Sequence, residues 1–228
     1  ALAGGGRNPR PGEITLAHRG VLFLDEMPEF SRRSLEILRQ PLEDKVIRIS
    51  RVYGTYDFPA DFMLCAAMNP CPCGHYPDMN RCRCTPAQVM QYLGRISQPL
   101  LDRLDLCAEV SPVDFEGLSS GRKGESTQTI RERVICAQDI QRERYKIEGI
   151  QFNGELSGAQ IEKYCKMEKD AQQLLKMAFQ NMPFSARAYH RILKVARTIA
   201  DMEATESIHR HHIAEALSYR AFDKKYWN

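Results

Sequence analysis

Four apolar residues in succession, Val21-Leu22-Phe23-Leu24, stop at a pair of acids, Asp25-Glu26. A run with no polar alternation predicts a strand buried on both faces of a parallel sheet. Such a strand delivers whatever follows it to the carboxyl edge of the sheet, where open α/β folds bind ligands. A second buried strand is predicted over Phe62 to Met68, and it too ends in a polar residue, Asn69, followed by Pro70. This part of the chain is therefore expected to be α/β.

The surrounding pattern fits. Arg7-Asn8-Pro9-Arg10-Pro11-Gly12 reads as a loop, and Ser31 to Leu42 as a helix with an N-cap serine and apolar Leu35, Leu38 and Leu42. Val46 to Phe58 alternates and predicts a β-hairpin turning near Arg51 to Gly54. Thr85-Pro86 opens another helix. Residues 119–127 are polar and rich in Ser and Gly, the expected linker between a first domain over 1–118 and a second over 128–228. Beyond the linker the periodicity is helical throughout, over 128–146, 157–164, 168–180, 185–202 and 209–221.

Composition excludes several classes. The chain of 228 residues is 43% hydrophobic, enough for one large domain or two small ones. A net charge of +3 is too small to imply nucleic acid by itself. No window approaches a membrane span, and no signal peptide is evident, so a cytoplasmic protein is expected. Ala1-Leu2-Ala3-Gly4-Gly5-Gly6 reads as the middle of a longer protein.

The acid pair at the strand end has the Walker B pattern. Asp25 would hold Mg²⁺ directly or through water, and Glu26 would polarise an attacking water. The plain alternative is a buried strand that merely ends in two acids. Asn69, at the second strand end, is a polar residue where a γ-phosphate or its water could be read. Leu100-Leu101-Asp102-Arg103-Leu104-Asp105 sets an arginine between acids, which in isolation is a surface salt-bridge pattern.

Eight cysteines divide into two kinds. Cys65, Cys107, Cys136 and Cys165 stand singly in apolar or helical contexts, which suits a reducing compartment. Cys71-Pro72-Cys73 and Cys82-Arg83-Cys84 form two C-x-C pairs in a hydrated loop. Four thiolates could close a tetrahedral, structural Zn²⁺ site, with His75 as a substitute ligand. The C-x-C spacing is tighter than the usual C-x₂-C, so unligated thiols or a disulfide remain open. His209, His211 and His212, at a helix start, are expected to be solvated or capping; His18 and Trp227 are expected to pack.

Taken together, Gly20 to Glu26, Ala66 to Pro70, Pro99 to Asp105 and Ser185-Ala186-Arg187 resemble the magnesium-chelatase-like AAA+ ATPases, and among them the YifB/ComM competence group. The resemblance covers essentially the whole chain. It implies a partial P-loop AAA+ core, a parallel sheet with helices and a β-hairpin insertion, followed by an all-α lid. It implies Asp25 and Glu26 as the Walker B pair, Asn69 as sensor 1, Arg103 as an arginine finger acting on a neighbouring subunit's nucleotide, and Arg187 as sensor 2. It also implies ATP and Mg²⁺ as cofactors, a ring of copies (a hexamer at full length) and DNA as partner. The loop Arg7 to His18 and the hairpin Lys45 to Pro59 match family insertions. The hairpin tip faces the pore in related helicases, making Arg51 the candidate DNA contact; an ordinary solvated charge is the alternative. One departure is plain: no G-x-x-x-x-G-K-[S/T] occurs. Without that loop the phosphates have no cradle, so this stretch alone is expected to be a fragment with negligible ATP affinity. Two rival readings are a chelatase-type ATPase remodelling a protein, and a non-enzymatic zinc-stabilised binding module.

Overall fold

A computed structural model describes residues 2–6, 8–111, 119, 124–182 and 184–220. Arg7, residues 120–123 of the expected linker, residue 221 of the last expected helix, and Trp227 lie outside the described residues. The chain divides into two compact units, one running to Leu104 and the other beginning at Asp105. Segment 105–111 thus goes with the second unit: Arg191 pairs with Asp105, and the Cys107 amide donates to the Tyr219 carbonyl at 3.1 Å.

In the first unit, β1 (Val21–Leu24) pairs in parallel with β4 (Met63–Ala66), Val21 opposite Met63 and Leu24 opposite Ala66. Leu22 and Leu24 turn into a core shared with Ile14, Leu35, Ile96 and Leu100. The expectation of a strand buried on both faces fails here: Val21 is 59% and Phe23 58% exposed, and their neighbours Met63 and Cys65 are also exposed. The reason is coverage. Helices α1 (Glu13–Leu16), α2 (Arg32–Glu36) and α5 (Gln98–Leu101) supply Ile14, Leu35, Leu100 and Leu101 to the core on the Leu22 and Leu24 side. The apolar run reflects two hydrophobic faces, of which one is packed among the described residues.

The single helix expected over Ser31 to Leu42 is two: α2 and α3 (Arg39–Asp44). Ser31 caps the first, accepting the Ser34 amide at 3.1 Å. Pro41 explains the break. It has no N–H to give to Ile37, but within the first turn of a restarted helix that donor is not needed.

The hairpin forms in the expected place. β2 (Val46–Arg51) and β3 (Gly54–Pro59) pair antiparallel, with Arg51 opposite Gly54 and Val52-Tyr53 as the two-residue turn. Only its base is packed, through Ile47 and Ile49. Helix α4 (Pro86–Leu93) opens on a reciprocal cap, Thr85 with Gln88.

The second unit is helical: α6 (Thr127–Arg144), α7 (Gly158–Tyr164), α8 (Lys169–Asn181), α9 (Ala186–Met202) and α10 (Arg210–Ser218). Its core gathers Tyr145, Ile161, Leu175, Ile192, Leu193, Ala196, Ile208 and Ile213, with α9 supplying the central stripe. Inside it lies a charged group that periodicity does not reveal. Asp201, fully buried, receives Arg144, the Arg197 Nε at 3.1 Å and the Asn153 Nδ2 at 2.8 Å. Arg197 spends its other donors on the Glu206 and Thr205 carbonyls, and Tyr145 donates to Asn153. A buried ion pair of this kind is tolerated because nearly every donor finds an acceptor. Among the described residues, no helix is long and apolar enough to cross a membrane.

Candidate functional site

Pairing in register brings β1 and β4 to the same edge. The Ala67 amide donates to Leu24 O at 2.9 Å, and the Met27 amide donates to Ala67 O at 3.0 Å. Asp25-Glu26 and Met68-Asn69 therefore leave the sheet side by side. Asp25, Glu26 and Asn69 are all exposed. Glu26 sits in the left-handed region, φ 48°, where its own amide donates to Asp25 Oδ1 at 2.9 Å. Immediately after it, Met27 and Pro28 bury into the core and open a short 3-10 turn. A chain that must turn this sharply from a strand into a buried residue leaves the acid no extended alternative. Two carboxylates and a carboxamide at one sheet edge are a donor set suited to a hard divalent cation and its water shell.

The cysteine loop follows Asn69 in the chain. Cys71, Cys73, Cys82 and Cys84 converge, all four sulfurs within 4.8 Å of one another. Cys71 Sγ stands 3.4 Å from Cys73 and 3.8 Å from Cys82, with Cys73 3.6 Å from Cys82. Backbone N–H groups, that of His75 foremost and then Arg83, bring the Cys73 thiol down to about 6. Burial foremost pushes Cys84 up to about 12. Cys71 and Cys82 join Val89, Tyr92 and Leu93 in a small apolar cluster under α4.

Arg103 differs from the expectation of a finger extended towards a neighbour. It is 6% exposed, and its guanidinium is engaged within its own unit: Nε donates to Arg39 O at 3.1 Å, one terminal nitrogen to Pro99 O and the other to Glu43 Oε2 at 2.8 Å. The helix α5 that carries Leu100 and Leu101 into the core turns Arg103 inward with them. Arg187 is in the second unit, exposed in the first turn of α9, whose N-cap Ser185 accepts the Ala188 amide at 3.2 Å.

Arg51 is not the tip of the hairpin. Its guanidinium folds back, Nε onto Gly6 O at 3.3 Å and NH1 onto Ser50 O at 2.9 Å. The tip is Val52 and Tyr53, 95% and 93% exposed. Sequence reading missed these two because a charge at a turn draws the eye before two apolar residues do; the signal was their position between paired Arg51 and Gly54.

The histidines behave as caps. The His209 amide donates to His212 Nδ1 at 3.0 Å, and Nε2 of His212 lies 3.0 Å from Glu203. With Nδ1 accepting, the neutral ring carries its proton on Nε2, which faces the carboxylate and has no lone pair for a metal. His211 shares the same Glu203 oxygen at 2.9 Å. His18 accepts the Asp61 amide at 3.1 Å and ties the segment before β1 to the one before β4.

A mixed α/β unit with an acid pair and an asparagine on neighbouring parallel strand ends, joined to a helical unit, is the class these features define. Family models described as magnesium chelatase, subunit ChlI, and magnesium chelatase, subunit ChlI C-terminal, match residues 1–118 and 124–220. The chain is 48% identical to the YifB protein of Salmonella typhimurium over 226 residues, 98% of the chain and 44% of that protein. It is 48% identical to the competence protein ComM of Haemophilus influenzae over 222 residues, 97% of the chain and 43% of ComM. Identity to YifB of Escherichia coli is 46%, again over 98% of the chain and 44% of the relative. The chain therefore belongs to the YifB/ComM family of magnesium-chelatase-like proteins, and it spans less than half the length of these relatives.

Proposed function

We propose that this chain is part of an AAA+ motor that hydrolyses Mg²⁺-ATP within a ring of copies and uses the motion to remodel DNA. The observation that carries this reading is the shared edge: Asp25-Glu26 and Asn69 leave in-register parallel neighbours, in a chain of the magnesium chelatase family. Asp25 is suited to hold Mg²⁺, Glu26 to polarise the attacking water, and Asn69 to bond the γ-phosphate or that water. The sequence carries no G-x-x-x-x-G-K-[S/T], so the activity is proposed for the whole protein. Among the described residues Val21, Phe23, Met63 and Cys65 present an exposed sheet face, where parallel sheets are generally covered on both sides.

Arg103 acts as a finger in this reading only after leaving Glu43 and presenting its guanidinium to nucleotide on the next copy. Arg187 serves as the second sensor from the helical lid. In the full-length protein, Glu26→Gln is expected to lower ATP turnover by about 10²–10⁴-fold while nucleotide binding persists. Turnover that survives the change overturns the assignment and leaves the acids as structural.

One observation favours a second reading. A tip made of Val52 and Tyr53 suits an unfolded peptide as well as a nucleic acid strand, which would make the partner a protein. Binding to DNA whose affinity falls steeply with salt separates the two, since phosphate contacts release counterions and apolar grips do not.

A further inference from the structure

We propose that Cys71, Cys73, Cys82 and Cys84 hold one zinc ion as four thiolates, and that this ion sets the position of Asn69. The spacing of the sulfurs is the first ground. Four sulfurs at about 2.3 Å from a tetrahedral zinc stand about 3.8 Å from each other. The three separations among Cys71, Cys73 and Cys82 are 3.4, 3.8 and 3.6 Å, and Cys84 joins the same group within 4.8 Å. A disulfide needs a sulfur pair at about 2.05 Å with its partners apart. Here the four converge on a common centre instead. The set also leaves no open position, so the ion is structural and does no chemistry on a substrate.

The second ground is the loop's own weakness. Between Pro70 and Thr85 it is mostly polar residues, Gly and Pro, and Met79 is exposed. Its apolar support is the small cluster of Val89, Tyr92 and Leu93 with Cys71 and Cys82. A segment that buries so little does not hold one conformation without a staple. Backbone N–H groups aim at the sulfurs as thiolate sites require: the Tyr76 amide donates to Cys71 Sγ at 3.4 Å, and those of His75 and Arg83 to Cys73. Binding is a simple exchange: Zn²⁺ enters, the thiols release their protons to solvent, and no electron moves. The net charge of the filled site is −2, with Arg81 just before the second pair and Arg83 between its two cysteines.

The third ground links the site to Asn69. A single proline separates Asn69 from Cys71. Gly74, in the turn after Cys73, has φ +80°, and a Cβ there would meet the Asn69 Cγ and Oδ1 at 3.9 Å. The turn at Gly74 thus passes near the carboxamide, while Cys84 leads straight into the Thr85 cap of α4. A bound ion would therefore anchor the chain two residues beyond Asn69, as β4 anchors it on the other side. Its role as a phosphate sensor rests on the function proposed above; zinc binding does not.

The test uses the purified chain and zinc alone. Metal analysis is expected to return about one zinc per chain, and Co²⁺ exchanged into the site to give the visible spectrum of a tetrahedral tetrathiolate. Cys73→Ser with Cys84→Ser should abolish both. Should that variant not fold, chelation and re-addition of zinc to the unaltered chain, followed by the Asn69 side-chain amide resonance, gives the same answer: the resonance moves on removal and returns on refilling. Four freely titrating thiols with no zinc taken up, or iron in its place, overturns the site. Zinc bound while the Asn69 resonance ignores its removal overturns the positioning role. ATP turnover in the full-length protein is a separate readout, so loss of the motor reading leaves the zinc result standing.

Discussion

The two units handle charge in opposite ways. In the first, Asp25 and Glu26 stand exposed at a strand edge, in a unit whose sheet is covered on one face among the described residues. In the second, Asp201 is sealed inside a helical core and bonded by two arginines and an asparagine. An exposed carboxylate contributes little to stability and is free to meet a ligand; a buried one is committed to the fold and meets none. The contrast teaches which acids to regard as functional. Burial and charge point to Asp201, but its complete satisfaction marks it as architecture.

The sharpest way to break this comparison is to neutralise one acid of each kind. Asp201→Ala leaves Arg197 buried without its carboxylate and is expected to cost about 3–5 kcal/mol, read as a fall in the denaturation midpoint of the helical unit. Asp25→Asn should stay within about 0.5 kcal/mol of the parent. Equal losses would mean that the acid pair also holds the fold together.

The hairpin sharpens the contrast next. If the tip grips a nucleic acid strand, Tyr53→Ala in the full-length protein removes a stacking platform and weakens single-strand binding by about 1–3 kcal/mol. Arg51→Ala, whose guanidinium is already turned to Gly6 and Ser50, is expected to do less. Fluorescence anisotropy on a labelled oligonucleotide reads both, and the reverse order would restore Arg51 as the contact.

The smallest effect concerns pH. Glu148 is held at about 2, below its ordinary 4.5, by Lys163 first and then by Tyr164 and Gln160. A depressed carboxylate contributes stability that is whole above its unfolded value and drains as pH falls through the folded one. The helical unit should therefore lose thermal stability between about pH 4.5 and 2, and Glu148→Gln should flatten that slope. A midpoint that falls just as steeply in the variant assigns the acid sensitivity elsewhere.

Much of the architecture was legible because it rests on local rules. Ser31 and Thr85 announced helix starts and serve as caps. The apolar run before Asp25 announced a strand, and the turn before Gly54 a hairpin. What stayed hidden depends on distant partners. Pro41 splitting a helix is local and could have been read. The inward turn of Arg103 depends on Glu43, sixty residues earlier in the chain, which no spacing discloses. The Asp201 cluster joins residues from α6, the 3-10 turn at Asn153 and α9; helical periodicity sees each only as an unexplained polar residue on an apolar stripe. Val52 and Tyr53 were visible but undervalued, since bare apolar residues at a turn acquire meaning only once nothing is seen to cover them.

The backbone at Glu26 has a consequence for evolution. A glutamate at φ 48° is held in a conformation that costs roughly 1–3 kcal/mol and that glycine or asparagine would accept more readily. Selection for heat resistance alone should therefore drift towards Glu26→Gly or Glu26→Asn, sturdier proteins with a silenced strand end. Persistence of the acid in a hot-adapted lineage would be a record of work that the residue still performs.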